Sequence, residues 1–234
     1  MFRNPRATLW VCAYQGFTGR THRSVLNELL GWPNLTYRDH EGQANIDVAR
    51  SKVASWFLQA PEEEAGSVLL MVDTDTAWEK GDLAFIAKRA LEHNAVVGGI
   101  YPKRKFGAGA ALRVLPETEG TYAIGTDALI PCEFVGTGFI AIPRVVLDEL
   151  SKSLPLCKGD FWPFFMPFVI RGNEYPTDDQ AFCWRVLEAG FKVYASTYPK
   201  LTHTGEYTYR MVDADVQPPE DRDMKMRFER LVHA

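Results

Sequence analysis

The order of hydrophobic and polar residues predicts alternating strands and helices over the first hundred positions. Four short apolar runs are typical of buried strands: 8–14, 35–38, 67–72 and 95–100. Three segments between them carry apolar residues at helical spacing: 20–31, 44–59 and 82–93. This β-α-β-α-β-α-β order predicts an α/β fold with a mostly parallel, doubly wound sheet.

The pattern changes in the second half of the chain. Between about 103 and 142, short alternating segments with Gly and Pro are typical of antiparallel hairpins. Helices are then predicted over 143–152 and 178–190, and a strand over 191–196. Beyond residue 205 the chain is polar, with one further helix predicted over 220–232. We therefore expect a smaller antiparallel portion in the second half, followed by a C-terminal tail.

Composition and net charge limit the kinds of protein and binding partner that this sequence can represent. The 234 residues suffice for one sizeable domain, and 46% hydrophobic with 24% charged residues is ordinary for a globular protein. The net charge of −4 argues against binding to nucleic acid through overall charge. The run Lys103-Arg104-Lys105 still leaves a local basic patch open.

Cysteine usage and the N-terminus bear on the compartment. The four cysteines are widely spaced and form no C-x-x-C pair, which favours free thiols in a reducing environment. The first apolar run is too short for a signal peptide core or a membrane span. The sequence therefore predicts a cytoplasmic protein that does not enter a membrane.

Two carboxylates follow the most apolar strand directly, as Asp73-Thr74-Asp75. In an open α/β sheet, ligands bind at the carboxyl ends of the strands. An Asp-x-Asp spacing allows one turn to present both carboxylates to a hard cation such as Mg²⁺ or Mn²⁺. The structural alternative is an acidic turn that caps the next helix.

A second acidic pair and a histidine are further candidates. Asp178 and Asp179 follow Thr177 at the start of a predicted helix, where a carboxylate can act as a general base at the lip of a cleft. Acids at this position also complement the helix dipole, which is the structural alternative. His203 comes just after a predicted strand, although a lone histidine is more often structural than a ligand.

Six segments in this order resemble the A-fold (GT-A) glycosyltransferases, and especially the family 2-like group often carried by bacteriophages and large viruses: VARSKVASWFL, VLLMVDTDTAW, VVGGIYPKR, FVGTGFIAIPR, TDDQAFCWRVLEAGFKVY and LTHTG. The resemblance covers roughly residues 44 to 205. It implies a single GT-A-like domain over 1–205, with a nucleotide-sugar half at about 1–102 and an acceptor half at about 103–205. The tail then occupies 206–234, and a viral enzyme of this type would work in the host cytoplasm.

The resemblance implies a metal-dependent enzyme that moves a sugar from a nucleotide-sugar, expected to be UDP-linked, to an acceptor hydroxyl. The metal, Mn²⁺ or Mg²⁺, would be bound by Asp73, Asp75 and His203. The general base would be Asp179 or Asp178, which stand where the family has Glu-Asp. The nucleotide would lie near Tyr14, Asp39, Arg50 and Asp73. The acceptor side would include Gly136, Thr137, Gly138, Trp162 and Lys103.

Several alternatives stay open at this stage. Attack from the far face of the sugar gives inversion, although retaining A-fold enzymes share the same metal site. The acceptor is a hydroxymethylated base in phage DNA, held by Lys103 at its phosphates, or else a glycan or a small molecule. Trp162 stacks on that acceptor or simply packs a long connection. A nucleotidyltransferase and a non-catalytic module that binds nucleotide-sugar or nucleic acid are the competing functions, and the oligomeric state is open.

Overall fold

A computed structural model of the chain describes residues 4–13, 16–103, 109–118, 120–169, 175–205, 208–209 and 225–228. The helices are α1 Gly19–Gly31, α2 Ile46–Gln59, α3 Glu62–Ala65, α4 Asp82–His93, α5 Arg144–Ser153 and α6 Asp178–Glu188. The first seven strands are β1 Ala7–Ala13, β2 Leu35–Glu41, β3 Val68–Asp73, β4 Thr76–Ala77, β5 Val96–Gly99, β6 Leu112–Val114 and β7 Gly120–Ala123. The remaining strands are β8 Leu129–Val135, β9 Phe139–Pro143, β10 Val193–Ser196, β11 Thr202–Thr204, β12 Thr208–Tyr209 and β13 Lys225–Phe228.

The central sheet has eight strands in the order β2-β1-β3-β9-β5-β10-β8-β6. β1 pairs in parallel with β2 and β3, and β5 pairs in parallel with β10. β9 is antiparallel to both β3 and β5, and β8 is antiparallel to both β10 and β6. Six strands therefore run in one direction, with β8 and β9 reversed, and the predicted mostly parallel α/β fold is confirmed.

Helices cover both faces of this sheet. On one face, α2, α5 and α6 pack over a core that includes Phe57, Leu147 and Phe182. On the other face, α1 and α4 pack over a second core that includes Val25 and Leu83. The helices bury part of the apolar positions that predict them, although Leu26 and Leu30 of α1 are exposed. β3 and β9, at the centre, are apolar along nearly their whole length because both faces are covered.

Smaller antiparallel pairings complete the described fold. β11 pairs with β4 and with β12, which brings the segment after β10 against the end of β3. β13 pairs with β7. The helix predicted over 220–232 is therefore wrong for 225–228, because tertiary pairing with β7 overrides the local pattern there. Within the described residues, no helix is both long and apolar enough to cross a bilayer.

Candidate active site

Arg50 joins three carboxylates from two other elements. It lies in α2, and only 5% of its surface is exposed. Its Nη2 is 2.7 Å from Asp73 Oδ1 and 3.0 Å from Asp73 Oδ2, at the end of β3. Its Nη1 is 3.1 Å from Asp179 Oδ1 and also donates to Asp178 Oδ2, both in the first turn of α6. The buried guanidinium thus fixes the relative positions of α2, β3 and α6.

Negative charges outnumber positive ones in the Arg50 cluster, which consists of Arg50, Asp73, Asp178 and Asp179. Burial alone would lower the pKa of Arg50, but Asp73, Asp179 and Asp178 raise it well above its ordinary value. Burial raises the pKa of Asp179, Asp178 and Asp73 raise it further, and Arg50 and Thr137 oppose that rise. One cation among three carboxylates leaves excess negative charge at this edge of the sheet, which suits a bound cation.

The turn between β8 and β9 lines the cluster. Thr137 is fully buried, and its Oγ1 donates to Asp179 Oδ1 at 2.7 Å. A Cβ on Gly138 would lie 2.8 Å from both Asp73 Oδ2 and Tyr101 Oη, and one on Gly136 would lie 2.2 Å from Tyr101 Oη. Glycines at these two positions therefore let the backbone approach Tyr101 closely, and at Gly138 also Asp73.

Tyr101 is a member of this site that the sequence reasoning missed. It follows β5 at the same edge of the sheet, and its Oη accepts a hydrogen bond of 2.9 Å from the backbone N–H of Gly138. Burial, Asp179 and Asp73 raise its pKa well above the ordinary value, so it stays a neutral phenol. Its position directly after a buried strand was the available signal.

Asp75 and His203 form a second group. His203 Nε2 lies 3.3 Å from Asp75 Oδ1, and His203 Nδ1 lies 2.9 Å from the carbonyl oxygen of Pro102. Because a carbonyl can only accept, Nδ1 carries a proton and donates it. In the neutral ring the lone pair is then on Nε2, facing Asp75. Backbone pairing between β4 and β11, with Thr204 N–H donating to the Asp75 carbonyl at 2.8 Å, holds the two residues together.

The predicted three-residue metal set is divided between these two groups. Asp73 pairs with Arg50, whereas Asp75 pairs with His203. Among the described residues, no group of three or more His, Cys, Asp or Glu side chains is arranged to hold a metal ion. A carboxylate oxygen beside a correctly oriented imidazole nitrogen nevertheless fits Mn²⁺, provided that substrate and water supply the other ligands. Metal binding stays a prediction.

Of the predicted nucleotide contacts, Arg50 and Asp73 belong to the Arg50 cluster, whereas Asp39 lies apart from it. Tyr14 falls outside the described residues. Asp39 is exposed on the edge strand β2, and β1 separates that strand from β3, a lateral distance of about 10 Å. A contact between Asp39 and a nucleotide stays a prediction.

Two predicted acceptor residues also lie apart. Lys103 is exposed, its N–H donates to the Gly109 carbonyl at 3.0 Å, and the two cations that follow it fall outside the described residues. Trp162 is half-buried against the core, with its ring centroid 6.0 Å from that of Phe164. Its backbone N–H donates to Ser55 Oγ at 2.9 Å. This packing agrees with the alternative interpretation, and a contact between Trp162 and an acceptor stays a prediction.

Comparisons with known proteins bear on the fold. No protein-family model matches this sequence, and no curated protein matches it. The structure is similar to that of A197 from STIV, with a TM-score of 0.55, 14% identity and 97% of each chain covered. It is also similar to GalNAc-T7 crystallised with UDP, GalNAc and Mn²⁺, with a TM-score of 0.54, 12% identity and 90% of this chain covered.

The chain spans 45% of the GalNAc-T7 chain. It also aligns with TarS 1-349 of S. aureus at a TM-score of 0.46 and 13% identity, over 82% of this chain and 58% of that one. At such identities the likeness concerns the fold alone. That fold is GT-A-like, as the sequence resemblance implied.

Proposed function

We propose that this chain is a metal-dependent glycosyltransferase, which moves a sugar from a UDP-linked donor to an acceptor hydroxyl in the cytoplasm. The observation that carries the proposal is the assembly of Asp73, Asp178 and Asp179 around buried Arg50, at the edge of the sheet where parallel strands end. The GT-A-like fold supports it, and so does the neighbouring pair of Asp75 and His203.

Asp75 and His203 would hold Mn²⁺ or Mg²⁺ together with the donor diphosphate. When bound, the ion supplies positive charge that stabilises the leaving nucleoside diphosphate. GalNAc-T7, of similar fold, was crystallised with UDP, GalNAc and Mn²⁺, which supports both the ion and the uridine donor. The bond between Pro102 and His203 Nδ1 would keep the imidazole in the tautomer that a metal ligand requires.

Asp179 is the proposed general base. Its raised pKa makes it a better proton acceptor than an ordinary carboxylate, and the hydrogen bond from Thr137 fixes its orientation. It would take the proton of the acceptor hydroxyl as that oxygen bonds to the anomeric carbon. The bond from this carbon to the diphosphate oxygen breaks at the same time, so the configuration inverts. Asp178, also bonded to Arg50, is the alternative base.

The acceptor is a hydroxymethylated base in phage DNA, a glycan or a small molecule. Exposed Lys103, near the end of β5, is the residue that would contact DNA phosphates. The overall charge of −4 provides no general attraction for DNA. An acceptor screen should therefore include all three classes.

The test is nucleotide release with Mn²⁺ from a panel of UDP-, GDP- and TDP-sugars. Metal-dependent release of one nucleoside diphosphate is expected, together with its suppression by Asp75→Ala and by Asp179→Asn. Asp148→Asn is the matched control, because Asp148 is an exposed carboxylate in α5. Release of pyrophosphate would instead indicate a nucleotidyltransferase.

Calorimetry on the same samples separates the remaining outcomes. Donor binding without release, even when the acceptor screen is included, would indicate a non-catalytic module. If no donor binds in the presence of Mn²⁺, the glycosyltransferase proposal is overturned.

A further inference from the structure

A groove lies on the α2 side of the sheet, beside the edge strand β2. It has a volume of about 570 Å³ and is formed by β1, β2, the C-terminal half of α2, and α3. Its lining includes Thr8, Trp10, Thr36, Arg38, Trp56 and Glu64. Its size is that of a small-molecule site. None of these residues belongs to the Arg50 cluster or to the pair of Asp75 and His203.

Two tryptophans give this β2 groove an aromatic wall. The ring centroids of Trp10 and Trp56 are 5.6 Å apart, with 33° between the ring planes. Trp56 is 38% exposed in the C-terminal half of α2, next to buried Phe57. The guanidinium carbon of exposed Arg38 lies 5.9 Å from the Trp10 ring centroid. Amphipathic rings of this kind are common where a ligand has both apolar and polar faces.

A buried donor in the groove lacks an acceptor within the described part of the chain. Trp10 is only 6% exposed, and its indole Nε1 has no hydrogen-bond partner there. Native proteins keep few such groups, since a buried unsatisfied donor is unfavourable. The long side chain of Arg38 covers this ring, and a change of its rotamer would open the indole to a ligand.

The other polar groups in the groove combine donors and acceptors without net charge. Thr8 Oγ1 donates to the Ala65 carbonyl at 2.8 Å, and Thr36 Oγ1 donates to the Glu64 carbonyl at 3.5 Å. Each hydroxyl has thereby used its proton, so its oxygen remains an acceptor. Arg38 adds cationic donors and the Glu64 side chain adds an anionic acceptor, which cancel in charge.

This mixture selects the class of ligand. A hydroxyl group both donates and accepts, so a polyhydroxylated ligand can use the indole N–H, the guanidinium, the carboxylate and the threonine oxygens together. Nucleic acid, by contrast, needs cations that no neighbouring acid offsets. The apolar face of a sugar ring matches the exposed face of Trp56. We propose that the β2 groove binds a neutral saccharide.

This site is separate from the proposed transfer chemistry. Trp56 follows Arg50 by six residues in α2, which places it about 9 Å farther along the helix. Binding in the groove needs neither donor nor metal. It can therefore be measured with no assumption about catalysis.

The experiment measures binding of neutral hexasaccharides by saturation-transfer NMR and by tryptophan fluorescence, without donor or metal. The panel contains maltohexaose, cellohexaose, xylohexaose and chitohexaose. We expect at least one to bind, and Trp56→Ala to weaken its binding about tenfold because the stacking surface is lost. Arg38→Ala should weaken it several-fold. Trp184→Ala is the matched control, since Trp184 is a 40% exposed tryptophan in α6, remote from the groove.

Trp10→Phe keeps an aromatic ring in the core but removes the indole N–H, so it tests the orphaned donor separately. Circular dichroism checks whether the Trp10→Phe variant folds. If that variant does not fold, the result with Trp56→Ala alone decides whether the proposal stands. The proposal is overturned if no hexasaccharide binds at millimolar concentration, or if Trp184→Ala weakens binding as much as Trp56→Ala. A 12-base-pair DNA duplex that displaces the sugar from the groove would also overturn it. Nucleotide release by the wild-type protein would stand in each of these cases.

Discussion

Two regions of this molecule gather buried or half-buried acidic side chains, and they do so in different ways. In the Arg50 cluster, Asp73, Asp178 and Asp179 surround one buried guanidinium. In the second region, Glu28 of α1 and Asp82 of α4 are 2% and 5% exposed. Here backbone N–H groups serve as donors, from Gly81 to Glu28 Oε1 at 2.8 Å and from Glu79 to Asp82 Oδ2 at 3.0 Å.

The difference shows why buried acids alone do not identify an active site. Burial raises the pKa of Glu28, and it raises the pKa of Asp82 to about 6. Glu28 fixes the loop between β4 and α4 to α1, and Asp82 stabilises the end of that loop, which are structural tasks. The acids of the Arg50 cluster come from β3 and α6, which meet Arg50 of α2 where strands end, and they retain partial access to solvent. Convergence at a sheet edge, and not burial, separates the functional candidate from the structural pair.

The largest expected effect is on the rate of sugar transfer. It tests whether an acid of the Arg50 cluster and an acid of the second region differ in function. Asp179→Asn should lower the rate of sugar transfer by about 10²- to 10⁴-fold, because the proposed base is lost. Asp82→Asn should leave the rate within about twofold, since it removes a charge of the same kind far from the chemistry. Initial rates with the donor found in the release assay provide the measurement. Equal losses in the two variants would show that the proposed base is wrong.

The second largest effect should come from replacing Arg50, the cation shared by the three carboxylates, and it concerns stability. Arg50→Ala leaves three carboxylates without their buried partner and should lower the free energy of unfolding by about 3–5 kcal/mol. Urea unfolding followed by fluorescence measures this loss. Arg89→Ala, which breaks exposed ion pairs with Glu92 and Asp127, should cost no more than about 1 kcal/mol. A small loss for Arg50→Ala would mean that the cluster is not held by its cation.

The close backbone approach at the Arg50 cluster provides a third test. Gly138→Ala would place a Cβ 2.8 Å from Asp73 Oδ2 and from Tyr101 Oη, so stability should fall by about 1–3 kcal/mol. Gly19→Ala is the control, because no atom lies within 4 Å of a Cβ there. That variant should be neutral or slightly stabilising. Thermal unfolding of both variants distinguishes local crowding from a general effect of glycine replacement.

The smallest effect concerns the pH dependence of the acidic pair. The pKa of Asp82 in the folded protein, about 6, is above the ordinary value of 3.8, so the folded state holds this proton more tightly than the unfolded chain does. The free energy of unfolding should therefore fall as pH rises from about 4 to 6, by on the order of 1 kcal/mol.

Urea unfolding at several pH values checks this slope. In Asp82→Asn the slope should be flatter, whereas Asp148→Asn, which alters an exposed carboxylate, should retain the wild-type slope. An identical pH profile for Asp82→Asn and the wild-type protein would show that Asp82 is not responsible.

Much of the fold and part of the site were predictable from sequence. Residues 67–72 read as a buried strand and become the central β3, and the helix predicted over 82–93 is observed as α4. Asp73 was expected at the edge of the sheet because it directly follows that strand. Tyr101 was missed although it follows a buried strand, because its bond to a glycine 37 residues away depends on tertiary contacts.

The local hydrophobic pattern by itself determined the α/β class, the strand-and-helix order of the first half, and the acids that follow strands or begin helices. This was possible because periodicity and helix-start signals depend only on neighbours in sequence. The tertiary structure alone decided that β9 inserts between β3 and β5, and that residues 225–228 form a strand against β7. It also decided that Asp73 pairs with Arg50 whereas Asp75 pairs with His203. These outcomes depend on contacts between residues far apart in the chain, where backbone pairing and buried charge override local preference.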